Sequence, residues 1–309
     1  MIEVTAGSKY MDIDAYAGCI AYAKLLKSLG QNAIATITAD NFNKSIAPSF
    51  FKMNYKIKRT LDTTSKFIIL DVSNPQMIVD SVLEKEILEV VDHHPYYEFV
   101  DYWNKRNTKL ILEDIGSVCT IVFEKIISNN KTEILDKDLC KLLIAGILDN
   151  TLNLKASITT KRDIDAYNQL MSIGNIEEDF AYNYFKECQN SYENDLLNSI
   201  EDDLKTNVNF PYVPETVGQL LVVDLFSILK RKKEIINYMN KQHEKWMINF
   251  INLEDGKSYI LTSSLETSKD INKFLNGQIQ DNEMVILEKF KLRKEIFRSA
   301  LNYKHKKTI

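Results

Sequence analysis

The first half of the chain alternates short apolar runs with longer amphipathic stretches. Residues 67–70 and 87–91 are short, mostly apolar runs, which is the pattern of strands buried on both faces of a sheet. Residues 15–29 carry helical spacing and are followed by Gly30, a common helix stop. Apolar strands that alternate with helices predict a parallel sheet covered by helices on both faces.

The same pattern predicts the other elements and a division into two domains. In the first half, strands are expected at 2–5, 33–38 and 109–112, and helices at 116–127, 136–148 and 161–173. The alternation stops near the polar residues 186–191, so we assign a first domain to 1–187, a linker to 188–194 and a smaller second domain to 195–309. In that domain we expect helices at 192–204, 225–246 and 268–275, strands at 219–223, 247–253, 258–262 and 284–287, and a basic segment at 289–294.

Composition excludes several classes of protein. The net charge of −4 over 309 residues argues against a general electrostatic nucleic-acid binder. No apolar run reaches membrane length, and the charges near the N-terminus do not fit a signal peptide. The cysteines are far apart and form no CxxC pair, which predicts reduced thiols and a cytoplasmic protein. They are Cys19, Cys119, Cys140 and Cys188.

Two apolar runs end in residues that can bind metal. Asp71 follows the run at 67–70, and Asp92, His93 and His94 end the run at 87–91. The carboxyl ends of parallel strands meet at one edge of the sheet, which is where open α/β sheets bind ligands. Two adjacent histidines after a carboxylate, among only four histidines in the chain, predict a metal-binding or catalytic cluster.

Two further acidic positions join this edge, although each has a simpler explanation. Asp12 and Asp14 lie between the first strand and the first helix, where a carboxylate often caps the helix. Asp149 and Asn150 end a helix, where an Asx turn is common. Together with the histidines, these oxygen donors predict a site for Mn²⁺ or Mg²⁺, with Co²⁺ or Fe²⁺ as alternatives.

In this order and spacing, the clusters resemble those of the DHH-superfamily phosphoesterases. Within that superfamily the chain is most similar to manganese-dependent (family II) inorganic pyrophosphatases and their exopolyphosphatase relatives. Arg293-Lys294-Glu295 resembles the basic motif of that branch, and residues 151–160 resemble its Thr-Leu-x-Phe-Lys-Ser-x-x-Thr run. The Gly-Gly-Gly-His motif of the nanoRNase and exonuclease branch does not occur near Gly256.

The resemblance implies a fold and a site. It implies an α/β parallel-sheet domain with helices on both faces, a smaller C-terminal α/β domain with a mixed sheet, and an active site in the cleft between them. It implies two divalent cations, with Mn²⁺ expected and Mg²⁺ or Co²⁺ as alternatives. Asp71 would bridge the two cations, and Asp92 would orient His93. The implied roles are metal binding for Asp12, Asp14, Asp71, His93 and Asp149 (or Asn150), catalysis for His94 and Asp92, and phosphate binding for Lys155, Arg293 and Lys294.

Two positions depart from the family pattern. Ser8 replaces a His or Asn, and Asn150 stands where an Asp usually precedes Thr. The leading expectation is a hydrolase that cleaves pyrophosphate or a short polyphosphate with a metal-activated water. The alternatives are a phosphodiesterase or nucleotide phosphatase, and a binding protein with weakened catalysis.

Expected partners follow from these functions. We expect a small phosphorylated substrate, no membrane and no nucleic acid beyond short oligonucleotides, and a homodimer stays open. Gly116-Ser117 could donate to a phosphate at a helix N-terminus or could simply begin that helix.

Overall fold

The chain forms two compact units in a computed structural model, Met1–Tyr184 and Phe185–Ile309. The structure describes residues 1–7, 10–62, 64–94, 97–206, 210 and 212–308. Its boundary between units lies inside the helix Phe180–Glu193, which also contains most of the residues assigned to a linker at 188–194. The connection between the units is therefore helical at that point.

The first unit contains the alternating elements that the sequence predicts. Its strands are β1 (Ile2–Thr5), β2 (Tyr10–Met11), β3 (Ala33–Thr36), β4 (Asn41–Phe42), β5 (Ile57–Lys58), β6 (Lys66–Leu70), β7 (Ile87–Asp92) and β8 (Lys109–Leu112). Its helices are α1 (Ile13–Ser28), α2 (Asp80–Leu83), α3 (Val100–Lys105), α4 (Val118–Ser128), α5 (Lys137–Asn150), α6 (Lys161–Ile173) and the first part of α7 (Phe180–Glu193).

Among the described residues, six of these strands form one sheet in the order β5-β3-β1-β6-β7-β8. Every neighbouring pair is parallel. The strands β1, β6 and β7 are therefore adjacent, and their carboxyl ends lie at one edge. This arrangement confirms the predicted parallel sheet and brings together the residues that follow those three strands.

Helices cover both faces of this sheet. Successive side chains of a strand point to opposite faces, so each strand packs against both layers of helices. From β6, Phe67 and Ile69 pack in a cluster with Val82 of α2 and Trp103 of α3. Leu70 faces the other side, where it lies against Gly18 of α1. The core on that side continues through the contacts of α1 with α4 and α5.

The second unit is built on a mixed sheet. Its strands are β9 (Lys205–Thr206), β10 (Thr216–Val222), β11 (Trp246–Asn252), β12 (Lys257–Thr262), β13 (Gln278–Gln280) and β14 (Met284–Leu287). Its helices are α8 (Leu196–Asp203), α9 (Leu225–Leu229), α10 (Lys232–Gln242), α11 (Leu265–Leu275) and α12 (Arg293–Thr308). The described order is β13-β14-β12-β11-β10-β9, in which β10 and β11 are parallel and the other pairs antiparallel. The mixed sheet confirms the predicted fold class of this half.

Some predicted boundaries in the second unit are wrong. The expected helix at 225–246 is two helices, α9 and α10, separated near Lys230 and Arg231, and Trp246 already belongs to β11. Trp246 is fully buried and its indole N–H donates to Asn240 at 2.8 Å, so tertiary packing ends the helix earlier than the sequence pattern indicates. The strands predicted at 247–253 and 258–262 are present as the antiparallel pair β11 and β12.

In the described part of the chain, no helix combines the length and the apolar character that a membrane span requires.

Candidate metal centre

Asp71 lies at the start of the candidate site, directly after β6. Its backbone N–H donates to the carbonyl of Val91 at 2.8 Å, and its φ angle of 63° places it in the left-handed region. Asp is one of the few residues that tolerates this conformation, and such backbone geometry is often found at functional sites. Its carboxylate oxygen Oδ1 lies 3.1 Å from Nε2 of His93, which follows the adjacent strand β7.

The ring of His93 points its Nε2 atom at Asp71. Its Nδ1 lies 3.0 Å from the carbonyl oxygen of Ile115, which can only accept, so Nδ1 carries the proton. In the neutral ring Nε2 therefore bears a lone pair. Among the described residues, neither this Nε2 nor Asp71 Oδ1 has a hydrogen-bond partner, and both side chains are only 6% exposed. Two buried lone pairs 3.1 Å apart fit a bound cation, so the residues present suit a divalent metal.

His94 is held by Asp92. Its Nδ1 donates to Asp92 Oδ1 at 2.8 Å, and the same oxygen accepts from the backbone N–H groups of His93 and His94 at 2.8 and 3.1 Å. Burial opposes the charged ring, but this hydrogen bond and the charge of Asp71 raise the pKa of His94. Asp92 thus orients the ring of His94, whereas the expectation was that it orients the ring of His93, which Ile115 holds instead.

The two histidine rings differ in access. The His94 side chain is 42% exposed, against 6% for His93. One donor atom from each of Asp71, His93 and His94 lies within 4.8 Å of the others, which makes these three residues a candidate ligand group.

Asp14 is engaged with helix α4. Its Oδ1 accepts from Ser117 Oγ at 2.6 Å and from the Cys119 N–H at 2.9 Å, and its Oδ2 accepts from the Val118 N–H at 2.9 Å. The side-chain amide of Asn150 also donates to Oδ2. The N-terminus of α4 therefore binds this carboxylate. Of the two roles considered for Gly116-Ser117, phosphate binding or helix initiation, the structure shows helix initiation: Ser117 caps α4 and also donates to Asp14.

Asp12 and Asp149 complete the acidic environment. Asp12 caps α1 by accepting from the Ala15 N–H at 2.9 Å, and burial and the charge of Asp14 raise its pKa. Burial, followed by the charges of Asp12 and Asp14, raises the pKa of Asp149 to about 8, against a hydrogen bond from Tyr184. Buried carboxylates that raise one another's pKa are the surroundings in which a cation is strongly favoured.

The expected phosphate-binding residues have different surroundings. Lys155 is exposed and follows three residues with left-handed backbone, residues 152–154, at φ angles of 50°, 57° and 62°. The guanidinium of Arg293 donates to the Asp203 carboxylate at 2.9 and 3.2 Å and to the Val217 carbonyl at 3.0 Å. Arg293 therefore fixes the start of α12 within the second unit. Ser8 and the side chain of Lys294 lie outside the described residues.

The sequence did not indicate that the carbonyl of Ile115 orients His93 or that the hydroxyl of Ser117 binds Asp14. Both act on partners far along the chain: Ile115 on His93, and Ser117 on Asp14, 103 residues away. The only sequence feature that pointed to these contacts was the predicted start of a helix at Gly116-Ser117.

Comparisons with known proteins agree with this geometry. The model of the DHH family, N-terminal domain, matches residues 4–147. The chain is 24% identical over 287 residues to the manganese-dependent inorganic pyrophosphatase of Methanothrix thermoacetophila, covering 90% of each chain. It is 26% identical over 293 residues to a Clostridium acetobutylicum protein assigned as a manganese-dependent inorganic pyrophosphatase, covering 91% of each.

A solved structure shows the same fold. The crystal structure of a Methanococcus jannaschii protein, assigned to the family II inorganic pyrophosphatases, aligns with a TM-score of 0.63 at 21% identity. The alignment covers 97% of this chain and 100% of that chain. These findings confirm the resemblance drawn from the motifs: residues 4–147 match the model of the DHH family, N-terminal domain, and the chain as a whole is similar to the manganese-dependent inorganic pyrophosphatases.

Proposed function

We propose that this protein is a metal-dependent phosphohydrolase that cleaves the phosphoanhydride bond of pyrophosphate or of a short polyphosphate. The observation that carries the proposal is the pair formed by Asp71 Oδ1 and His93 Nε2, two buried lone-pair donors at the sheet edge of a DHH-family domain. The names of the relatives support Mn²⁺ as the cation and pyrophosphate as the substrate.

The residues of the site divide the work. A divalent cation would supply a bound water of lowered pKa and a clamp for phosphoryl oxygens. Asp71 and His93 would hold that cation, because their donor atoms converge and have no hydrogen-bond partner in the described chain. His94 is the more accessible ring and its orientation is fixed by Asp92, so we assign it the contact with the phosphate. Lys155 is exposed and would neutralise charge on the phosphate.

Other parts of the expectation stay predictions. The phosphate-binding roles of Arg293 and Lys294, the active site in the cleft and the homodimer belong to this group. A cytoplasmic location is part of the proposal and is supported by the four cysteines, all of which are buried and none of which forms a disulfide.

The test is release of orthophosphate by the purified protein with Mn²⁺, from pyrophosphate and from tripolyphosphate. We expect release that stops when a chelator removes the cation and that falls to background in His93→Ala. His243→Ala is the matched control, since His243 lies in the second unit beside Glu201. No orthophosphate from either substrate would contradict the proposal. Faster cleavage of a dinucleotide than of pyrophosphate would favour the phosphodiesterase alternative.

A further inference from the structure

We infer that this chain holds a single tightly bound divalent cation, on Asp71 and His93, and that Asn150 replaces a second cation by hydrogen-bonding Asp14. The inference rests on the proposed metal dependence and specifies how many cations the site takes.

The cation position is defined by two buried donor atoms, and the nearest further charged atoms are Asp14 Oδ2, 3.6 Å from His93 Nε2, and His94 Nδ1, 3.9 Å from Asp71 Oδ1. Asp71 Oδ1 and His93 Nε2 are buried, 3.1 Å apart and without a hydrogen-bond partner in the described chain. Both residues directly follow buried strands of one sheet, and the tautomer of His93 is fixed by Ile115. Within the described residues, the one group of His, Cys, Asp and Glu side chains whose donor atoms converge is Asp71, His93 and His94.

Asp14 differs because its carboxylate is already saturated. A carboxylate offers about four lone-pair sites. The Asp14 side chain is 1% exposed and accepts from Ser117 Oγ, from the Val118 and Cys119 N–H groups and from the Asn150 amide. A cation on Asp14 would have to displace at least one of these donors, and the Asn150 amide is the one that belongs neither to α4 nor to its N-cap residue Ser117.

Asn150 supplies locally what a cation would otherwise supply. A carboxylate at position 150 would face the Asp14 carboxylate at hydrogen-bond distance, where two like charges repel unless a cation lies between them or one carboxyl keeps its proton. The Asn150 amide has the same shape as a carboxylate, but its N–H group donates a hydrogen bond. It therefore stabilises the charge of Asp14 directly. Gly146, one turn earlier on α5, allows the approach: a Cβ there would lie 2.5 Å from Cys119 Sγ and 3.0 Å from Asp14 Oδ1.

The inference predicts that a second cation can be gained by one substitution. In Asn150→Asp, the paired carboxylates would favour a cation beside Asp14 once Mn²⁺ is supplied, so the number of bound ions should rise. Asn104→Asp is the matched control, because Asn104 is an exposed residue of α3 and gains the same charge away from the site.

The experiment titrates metal-free protein with Mn²⁺ and measures bound metal by elemental analysis together with the electron paramagnetic resonance spectrum. We expect one Mn²⁺ per chain with the spectrum of an isolated ion for the wild type and for Asn104→Asp. For Asn150→Asp we expect two, with the spectrum of a coupled pair. His93→Ala should weaken the first ion by roughly 10–100-fold or more.

Two results would overturn the inference: two tightly bound ions in the wild type, or a folded Asn150→Asp protein, verified by circular dichroism, that still binds one. If Asn150→Asp does not fold, the wild-type count alone still decides. The proposed function fails separately. One bound ion without orthophosphate release would remove that function and keep the inference, whereas release with two bound ions would do the reverse.

Discussion

Two buried carboxylates in the first unit have opposite surroundings. Asp163 of α6 is fully buried and accepts from the Gly116 N–H, from Thr120 Oγ1 and from the N–H and hydroxyl of Thr160, at 2.6 to 3.0 Å. Asp71 is almost as buried, yet its Oδ1 has no hydrogen-bond partner among the described residues. Burial and the charges of Asp12 and Asp14 raise its pKa well above the usual range.

The difference separates a structural carboxylate from a ligand-binding one. A buried charge is tolerated when donors surround it, and it costs stability when they do not. Asp163 joins the start of α4 to the start of α6, so its donors belong to the fold. The Asp71 carboxylate differs because its buried Oδ1 has no donor among the described residues. This oxygen is therefore available to a bound cation.

The largest effect should come from removing the satisfied carboxylate. Asp163→Ala would leave several buried donors without an acceptor, and we expect a loss of about 3 kcal/mol or more in the free energy of unfolding. Urea denaturation measures this as a lower midpoint. Asp165→Ala is the control on the same helix, because the Asp165 pair with Lys161 is exposed and worth less than about 1 kcal/mol. Equal losses in the two variants would show that the Asp163 contacts are not structural.

Asp71→Asn should have the reverse sign and a smaller size. In metal-free protein the substitution removes a poorly stabilised buried charge and allows the new amide to donate to His93 Nε2, 3.1 Å from the oxygen it replaces. Asn also tolerates the left-handed backbone at this position. We expect a gain of about 1 kcal/mol in thermal or urea stability together with a loss of metal binding. A destabilisation as large as that of Asp163→Ala would remove the distinction between the two carboxylates.

How far the sequence predicted the site depends on how local each contact is. The apolar runs that became β6 and β7, and the residues Asp71 and His93 that follow them, were identified because a strand and its last residue are adjacent in sequence. The holding of Asp14 by Ser117 joins residues 103 positions apart. No local pattern indicates that a helix N-terminus will meet that carboxylate.

The same reason explains the errors in the second unit. The amphipathic pattern at 225–246 does not show that the chain divides into α9 and α10, because the division depends on Trp246 joining the parallel strand pair of β10 and β11. The contact of Arg293 with Asp203 was missed for the same reason, because Asp203 lies 90 residues earlier and is not part of any motif. Phosphate binding by Arg293 stays a prediction.

A third carboxylate, Glu89 of β7, extends the comparison, because two cations and one neutral donor surround it. Tyr22 donates a hydrogen bond to it, and Lys125 and Lys109 lie at 3.1 and 3.0 Å. Burial opposes its charge, but Tyr22 and Lys125, followed by Lys109, outweigh that effect and lower its pKa. A lowered folded-state pKa means that the stabilisation is present above the unfolded-state pKa and is lost as pH falls through the folded-state pKa.

Glu89→Gln should therefore reduce stability at neutral pH by less than about 1 kcal/mol and have less effect in acid, since the wild type then loses the same charge. Urea midpoints at a series of pH values below neutrality measure this difference. Glu86→Gln, whose pair with Lys66 is exposed, is the matched control and should change little at any pH. If the difference between Glu89→Gln and wild type grows as pH falls, the cations do not hold Glu89 in its charged form. Pairing with cations would then be no substitute for the direct donors that surround Asp163.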